Sequence, residues 1–310
     1  MFQKILIANR GEIAVRVIRT CREMGIQTVA IYSEPDRTAP HVLKADEAFC
    51  VGPAPSSESY LNITSILDVL KKSGADAVHP GYGFLSENAG FADTLQKMSI
   101  TWIGPFSEVI TIMGDKMAAR KLAVEAGAPV VPGTTEPLTT LTSALKTAEK
   151  IGYPLLIKAA GGGGGKGMRF IQSKAELEDA MNRAKYEAEK AFADDRIYME
   201  KYLDEPHHIE IQVFADNHGK VESLGERECS IQRRYQKIIE ETPSPFINET
   251  LRQKLSKTAI DITKSCNYSG AGTVEFLVDK HNQFYFLEMN TRLQVEHPIT
   301  EMVTGIDLVR

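Results

Sequence analysis

Thr273-Val274-Glu275-Phe276-Leu277-Val278, the polar segment Asp279 to Gln283, and Phe284-Tyr285-Phe286-Leu287-Glu288-Met289-Asn290 read together as an antiparallel hairpin. With the turn centred between His281 and Asn282, Glu275 falls directly opposite Glu288. Like charges in opposed cross-strand positions repel, and carboxylates inside apolar strands are costly unless paired or metal-bound. The arrangement therefore calls for a cation. Carboxylate oxygens suit Mg²⁺, which takes its remaining ligands from water and nucleotide phosphates. The hairpin is expected to floor an ATP site, with Glu275 and Glu288 holding the metal.

Beyond the hairpin, Glu288, Asn290, Arg292, Gln294 and Glu296 alternate at period two through EMNTRLQVEH. In an extended segment these five side chains share one face, and Leu287, Met289, Leu293 and Val295 share the other. Two acids, two amides and an arginine on one face suggest chemistry, since a solvated edge strand would not need the apolar VEFLV beside it.

With 310 residues, 43% hydrophobic and 25% charged, the chain has room for two or three globular domains. A formal net charge of −5 provides no broad basic field for nucleic acid. Cys21, Cys50, Cys229 and Cys266 are scattered without CxxC pairs, which indicates neither a zinc site nor a disulfide framework. No signal-like segment or membrane span is legible, so a cytoplasmic location is expected.

The N-terminal third alternates strand and helix: KILIAN, a helix from Glu12 to Met24, QTVAIYS, DEAFCVG, a helix from Ile63 to Lys72, and DAVHP. This pattern predicts an α/β, doubly wound parallel sheet with function at the strand carboxyl ends. Asn9-Arg10-Gly11-Glu12 and His79-Pro80-Gly81-Tyr82-Gly83 stand at two such ends and are candidate functional turns. The expected division is an N-terminal Rossmann-like domain over 1–113 and a linker helix over 114–130, with Asp115 as its cap. A lid subdomain over 131–203 and a second subdomain over 204–310 follow.

Ala160 to Gly167 reads AGGGGGKG. It fails the Walker pattern, because Ala160 replaces the first glycine and Gly167 follows Lys166 where Ser or Thr is required. It matches GxGxxG but leads into the strand MRFIQS, whereas a dinucleotide fingerprint opens a helix. Strand, loop and strand predict a lid in which Gly163, Gly164 and Gly165 turn amides toward an anion and Lys166 adds charge.

Taken together, ANRGEIA, HPGYGFLSEN, YPLLIKAAGGGGGKGM, EKYL, HIEIQV, ERECSIQRRYQK and EMNTRLQVEHPITEMVTG resemble the biotin carboxylase family throughout 1–310. That family includes a subunit of acetyl-CoA carboxylase and parts of pyruvate and propionyl-CoA carboxylases. The resemblance implies an ATP-grasp fold after the N-terminal domain. It also implies ATP- and bicarbonate-dependent carboxylation of biotin on a biotin carboxyl carrier protein, with a carboxyltransferase as the next partner.

Position by position, the resemblance implies that Lys116 and Lys158 meet nucleotide phosphates and that Glu200, Lys201 and Leu203 receive adenine. His208 and Gln232 would lie near the ribose and phosphates, with Glu210 beside them; in HHIEIQVF, His208, Glu210 and Gln212 are expected to face the nucleotide. Glu275 and Glu288, helped by Asn290, would hold Mg²⁺ or Mn²⁺. Lys237, Arg292, Gln294 and the Val295 amide resemble a bicarbonate pocket, with Glu296 as the base. Tyr82 is a candidate wall for biotin, although an ordinary packed tyrosine is an alternative. Tyr235 departs from a frequent histidine.

Members of the family continue well beyond Arg310, into a region implied to complete the second domain, supply dimer contacts and carry an arginine beside biotin. The ATP-grasp fold is therefore expected to be incomplete at the C-terminus, with Thr300 to Arg310 one amphipathic helix lacking a closing glycine. Two other readings stay open: another ATP-grasp ligase, such as a carbamoyl-phosphate synthase half, and a non-catalytic nucleotide-binding fragment.

Overall fold

The computed structural model describes residues 2–161 and 167–310. In the first part β1 (Lys4–Ile7), α1 (Gly11–Glu23), β2 (Gln27–Ser33), α2 (Pro40–Lys44), β3 (Glu47–Gly52), α3 (Ile63–Ser73), β4 (Ala77–His79), α4 (Ala89–Lys97) and β5 (Thr101–Trp102) alternate, with α2, α4 and β5 added to the elements the sequence predicts. The strands pair in parallel in the order β3-β2-β1-β4-β5. Alternate residues feed opposite faces: Leu6, Val29, Ile31 and Val78 join one core, while Ile5, Ile7 and Ala77 pack with Ile13, Val17 and Ile18 of α1 in another. Burial on both faces is why these strands read as continuous apolar runs.

The topological switch falls between β1 and β4, where the two candidate turns meet. Asn9, 3% exposed, donates from Nδ2 to Pro80 O and Tyr82 O, both at 2.7 Å. Gly81 lies at φ 64°, and a Cβ there would meet Asn9 Nδ2 at 3.0 Å. Asn9 is therefore a clamp between the two loops.

α5 (Ser107–Gly114) and α6 (Lys116–Glu125) lead away from the parallel sheet. Asp115 caps α6 as expected, accepting from the amides of Met117 and Ala118. The lid unit contains α7 (Leu141–Ile151), β6 (Leu155–Ala159), β7 (Arg169–Ile171), α8 (Leu177–Phe192) and β8 (Ile197–Lys201), with sheet order β7-β6-β8. Ala144, Ala148, Ala180, Ala184 and Ala188 let its helices lie close on Ile157, Ile171 and Met199. The incoming linker crosses β8 at Gly133, where a Cβ would stand 2.5 Å from Met199 O.

The last part holds β9 (His207–Ala215), β10 (Val221–Arg233), β11 (Gln236–Glu241), α9 (Glu249–Ser265), β12 (Gly270–Val278), β13 (Phe284–Asn290) and α10 (His297–Thr304). Its five strands form an antiparallel sheet in the order β11-β10-β9-β12-β13. Ile209, Ile211, Val213, Val274, Phe276 and Val278 bury one face against Leu251, Leu255, Ala259 and Ile262 of α9. The opposite face carries the polar side chains.

Three local expectations are corrected. The ladder near the turn pairs Val278 with Phe284 and Phe276 with Phe286, one residue out of the expected register; a bulge at Leu287 then restores Glu275 opposite Glu288. Regular strand ends at Asn290, so period two does not continue to Glu296, and Leu287 and Val295 leave the apolar face. Thr300–Arg310 is not one helix: α10 starts at His297 and closes at Gly305, φ 72°, whose amide bonds Glu301 O.

Candidate active site

A cavity of about 1010 Å³ opens between the lid sheet and the polar face of the antiparallel sheet. Its walls include Lys116 from α6, Lys158 from β6, and Glu200, Lys201 and Leu203 from β8 and the turn after it. His208, Gln232, Tyr235 and Lys237 come from β9, β10, β11 and the turn between the last two; Glu275, Glu288 and Asn290 come from β12 and β13. Arg292, Gln294, Val295 and Glu296 line the irregular stretch before α10. Tyr82 is not among these wall residues, though it stands near Glu296 and Arg292 and packs in the cluster that holds Leu293; its hydroxyl donates to Glu12 Oε1 at 2.5 Å. Gly163, Gly164, Gly165 and Lys166 fall outside the described residues.

The sequence reading missed the apolar wall. Met168, Phe170, Tyr202, Leu277 and Leu287 also line the cavity, a surface suited to a flat ring. Leu277 stands two residues after Glu275 and could have been assigned to its face; Leu287 could not, because only the bulge turns it beside Glu288. The expectation for β9 also changes. His208 faces the cavity, but Glu210 and Gln212 are 0% exposed and turn toward Arg227 beneath the floor.

The charges form two groups. At one end Lys158 pairs with Glu200, which also lies 3.8 Å from Arg120. At the other Lys237 Nζ contacts Glu210 Oε2, Glu275 Oε1 at 2.9 Å and Glu296 Oε1 at 2.7 Å, while Lys116 pairs with Glu288. His208 Nε2 lies 2.8 Å from Glu275 Oε2, and Asn290 Nδ2 donates to Glu275 Oε1 at 2.8 Å.

Burial alone would raise the Glu275 pKa, but His208 and Lys237 reverse this and hold the carboxyl well below the usual range. For Glu296, burial is likewise outweighed by Lys237, and the net direction is down. Burial dominates at Glu210, which is pushed up despite Arg227 and Lys237. Burial works against charge on Lys237, yet Glu275, Glu210 and Glu296 drive its pKa far upward.

Both carboxylates expected to bind metal thus already attract cationic groups. Glu275 also brings a ligand atom within 4.8 Å of His208 and Glu210. Anionic oxygens, buried at Glu275 and half-buried at Glu288, each already paired with an ammonium group, fit a hard divalent ion. Arg292 is fixed at Nε by Glu87 Oε2 at 2.8 Å, at Nη1 by Gln294 Oε1 at 3.1 Å and at Nη2 by Asn290 Oδ1 at 3.2 Å. The guanidinium is thus presented in one orientation at the cavity wall.

A small three-stranded lid facing an antiparallel sheet across a lysine- and carboxylate-lined cleft defines an ATP-grasp protein. Residues 115–310 match the family described as carbamoyl-phosphate synthase L chain, ATP binding domain, and residues 1–110 match biotin carboxylase, N-terminal domain. The chain is 52% identical to biotin carboxylase of Haemophilus influenzae, over 100% of this chain and 69% of that relative. It is 55% identical to the mitochondrial propionyl-CoA carboxylase alpha chain of Rattus norvegicus, over 100% of this chain but 42% of that one.

Among solved structures, the Campylobacter jejuni biotin carboxylase complex with β,γ-ATP superposes with a TM-score of 0.97 at 50% identity, covering 100% of this chain and 69% of that one. The biotin carboxylase domain dimer of Hydrogenobacter thermophilus 2-oxoglutarate carboxylase, with MgADP, ADP and bicarbonate, gives 0.95 at 49%, covering 100% and 68%. The chain belongs to the biotin carboxylase family. Among the described residues no helix is long and apolar enough to cross a membrane.

Proposed function

We propose that this chain carries the ATP- and bicarbonate-dependent carboxylation of biotin, the first half-reaction of a biotin-dependent carboxylase. The observation that carries the reading is Lys237, which joins the carboxylate of Glu296 to that of Glu275 within one cavity. A base for bicarbonate thereby stands beside the place where a nucleotide's terminal phosphate would be neutralised.

In this reading the segment Glu200, Lys201 and Leu203 receives adenine, and Leu277, Leu287 and Met168 pack on its ring. His208, Gln232 and Tyr235 border the ribose and phosphates, while Lys116 and Lys158 take phosphate oxygens. Glu275 and Glu288, with Asn290, would hold Mg²⁺ or Mn²⁺, which when bound supplies charge neutralisation to the phosphates. Lys116 and Lys237 then turn from those carboxylates toward anionic substrate.

Bicarbonate is a planar anion suited to the fork of Arg292, the Gln294 side chain, the Val295 amide and the charge of Lys237. Glu296, ionised at neutral pH, accepts its proton. The bicarbonate oxygen forms a bond to the γ-phosphorus as the bond to ADP breaks, yielding carboxyphosphate. Its decomposition gives carbon dioxide and phosphate; phosphate takes the ureido proton of biotin, and the biotin nitrogen bonds carbon dioxide. Tyr82, on the N-terminal turn, is proposed as a wall for biotin.

The division into 1–113, 114–130, 131–203 and 204–310 is proposed as the functional one, a base, connector, lid and floor. Biotin would arrive on a carrier protein, and a carboxyltransferase would remove the carboxyl group.

The test is ATP hydrolysis by the purified chain with Mg²⁺, with and without bicarbonate and then with biotin, beside Lys237→Ala. Bicarbonate-dependent turnover in the parent, stimulated by biotin and reduced by about 10²–10³-fold in the variant, is expected. Nucleotide binding without bicarbonate-dependent turnover would overturn the proposal.

A further inference from the structure

Beneath the cavity floor lies a buried ionic group that the reaction as derived does not use. Arg227 on β10 is 0% exposed, as are its partners Glu210 and Gln212 on β9. Its Nε donates to Glu210 Oε1. Its Nη1 donates to Gln212 Oε1 and Thr300 Oγ1, each at 2.8 Å, and its Nη2 to Thr273 Oγ1 at 3.1 Å. One guanidinium therefore ties together β9, β12 and α10. Desolvating such a charge costs several kcal/mol, and apolar residues of similar volume often serve stability as well or better. Stability alone is a weak reason for its presence.

Two routes lead from Arg227 to the groups proposed to handle bicarbonate. The first is ionic: Arg227 holds one oxygen of Glu210, whose other oxygen accepts from Lys237, and Lys237 reaches Glu296 at 2.7 Å. The second is mechanical. Glu296 is the N-cap residue of α10, and Thr300, one turn further along that helix, is pinned by Arg227 at 2.8 Å. Both routes end on Glu296, but neither brings Arg227 to the cavity wall.

We propose that Arg227 is a positioning residue for the bicarbonate step, fixing Lys237 through Glu210 and Glu296 through Thr300. This rests on the reading of the site as a biotin carboxylase. It separates two properties: nucleotide contacts on the lid side do not pass through Arg227, whereas the alignment of base and lysine does.

The full chain would be compared with Arg227→Lys, Arg227→Met and Thr300→Val, the last cutting only the helix route. Bicarbonate-dependent kcat, KM for bicarbonate and the Kd of a non-hydrolysable ATP analogue would be measured on protein whose folding is verified by its thermal transition. Outer-shell replacements of this kind cost about 10–100-fold. Arg227→Met is expected near the upper end, with Arg227→Lys partly rescued and Thr300→Val near the lower end. Analogue Kd should stay within about threefold for all, a split a merely structural role would not give.

Wild-type kcat and KM in folded Thr300→Val and Arg227→Lys would overturn the proposal, as would losses matched by equal losses in analogue binding. If the parent chain shows no bicarbonate-dependent turnover, the functional reading fails, and a crystal structure of Arg227→Lys decides the positioning claim separately. Lys237 displaced from Glu296 would support it; an unchanged set of Lys237 contacts would overturn it.

Discussion

The two five-stranded sheets contain the same number of strands and solve opposite problems. The parallel sheet buries aliphatic side chains on both faces, with Leu6, Ile7 and Ile31 at 0% exposure, and the clamp Asn9 after β1 joins two loops. The antiparallel sheet buries aliphatics on one face and Glu210, Gln212, Arg227, Thr273 and Glu275 on the other. One is a frame whose free energy comes from packing; the other keeps a face of mutually dependent charges. A buried charged face is tolerated here because its charges have opposite partners.

The sharpest way to break this contrast is Glu296→Gln. Loss of the proposed base should lower bicarbonate-dependent turnover by about 10²–10⁴-fold. Since Lys237 still retains Glu210 and Glu275, the melting temperature should hold or rise; a steep fall in both would show that the charged face is also the frame.

Leu6→Ala on the parallel sheet should do the converse. It is expected to cost about 2–5 kcal/mol in denaturant unfolding. The turnover per folded molecule should be unchanged.

A smaller effect concerns protons. His79, at the end of β4, accepts from Gly81 N at Nδ1, and burial pushes its pKa down to about 4. The unfolded chain, with an ordinary histidine, binds the proton first as pH falls below about 6.5. Stability is therefore present above that pH and lost progressively down to about 4, by at most about 3 kcal/mol. His79→Asn should flatten this segment of the stability–pH curve. Burial depresses His41 and His297 as well, so a residual slope should persist.

The smallest effect belongs to the surface. Lys97 and Asp93 form an i,i+4 pair at 2.6 Å with the lysine side chain 74% exposed. Lys97→Ala should change stability by less than about 0.5 kcal/mol, and a larger shift in the melting curve would contradict the contrast between exposed and buried charge.

Much of the fold was legible where one period governs a whole element. The βα alternation specified the parallel sheet, and period two in VEFLV and FYFLEMN brought Glu275 opposite Glu288, although the turn register was one residue out. Of the candidate site, the polar members on regular strands, such as His208, Glu275 and Glu288, were legible, whereas Phe170 and Leu277 on equally regular strands were not.

It became illegible where geometry leaves the period. Past Asn290 the backbone bends, so Arg292, Gln294 and Glu296 meet the cavity through irregular structure rather than along one strand face. Arg227 was hidden in the charge-rich run ERECSIQRR, because the partners that bury it lie 15, 17, 46 and 73 residues away. Gly305 ends α10 inside what reads as a continuous amphipathic pattern; its αL conformation belongs to the helix terminus and not to the periodicity.

The bulge at Leu287 makes the hairpin modular. Removing a residue from a strand ordinarily reverses every side chain beyond it. Here excision of Leu287 would leave Phe286 facing Phe276 and Glu288 facing Glu275, so the core and the carboxylate pair would both survive. Only the apolar wall would lose a member. Deleting Leu287 would thus reshape the apolar wall while the ionic half of the cavity keeps its register.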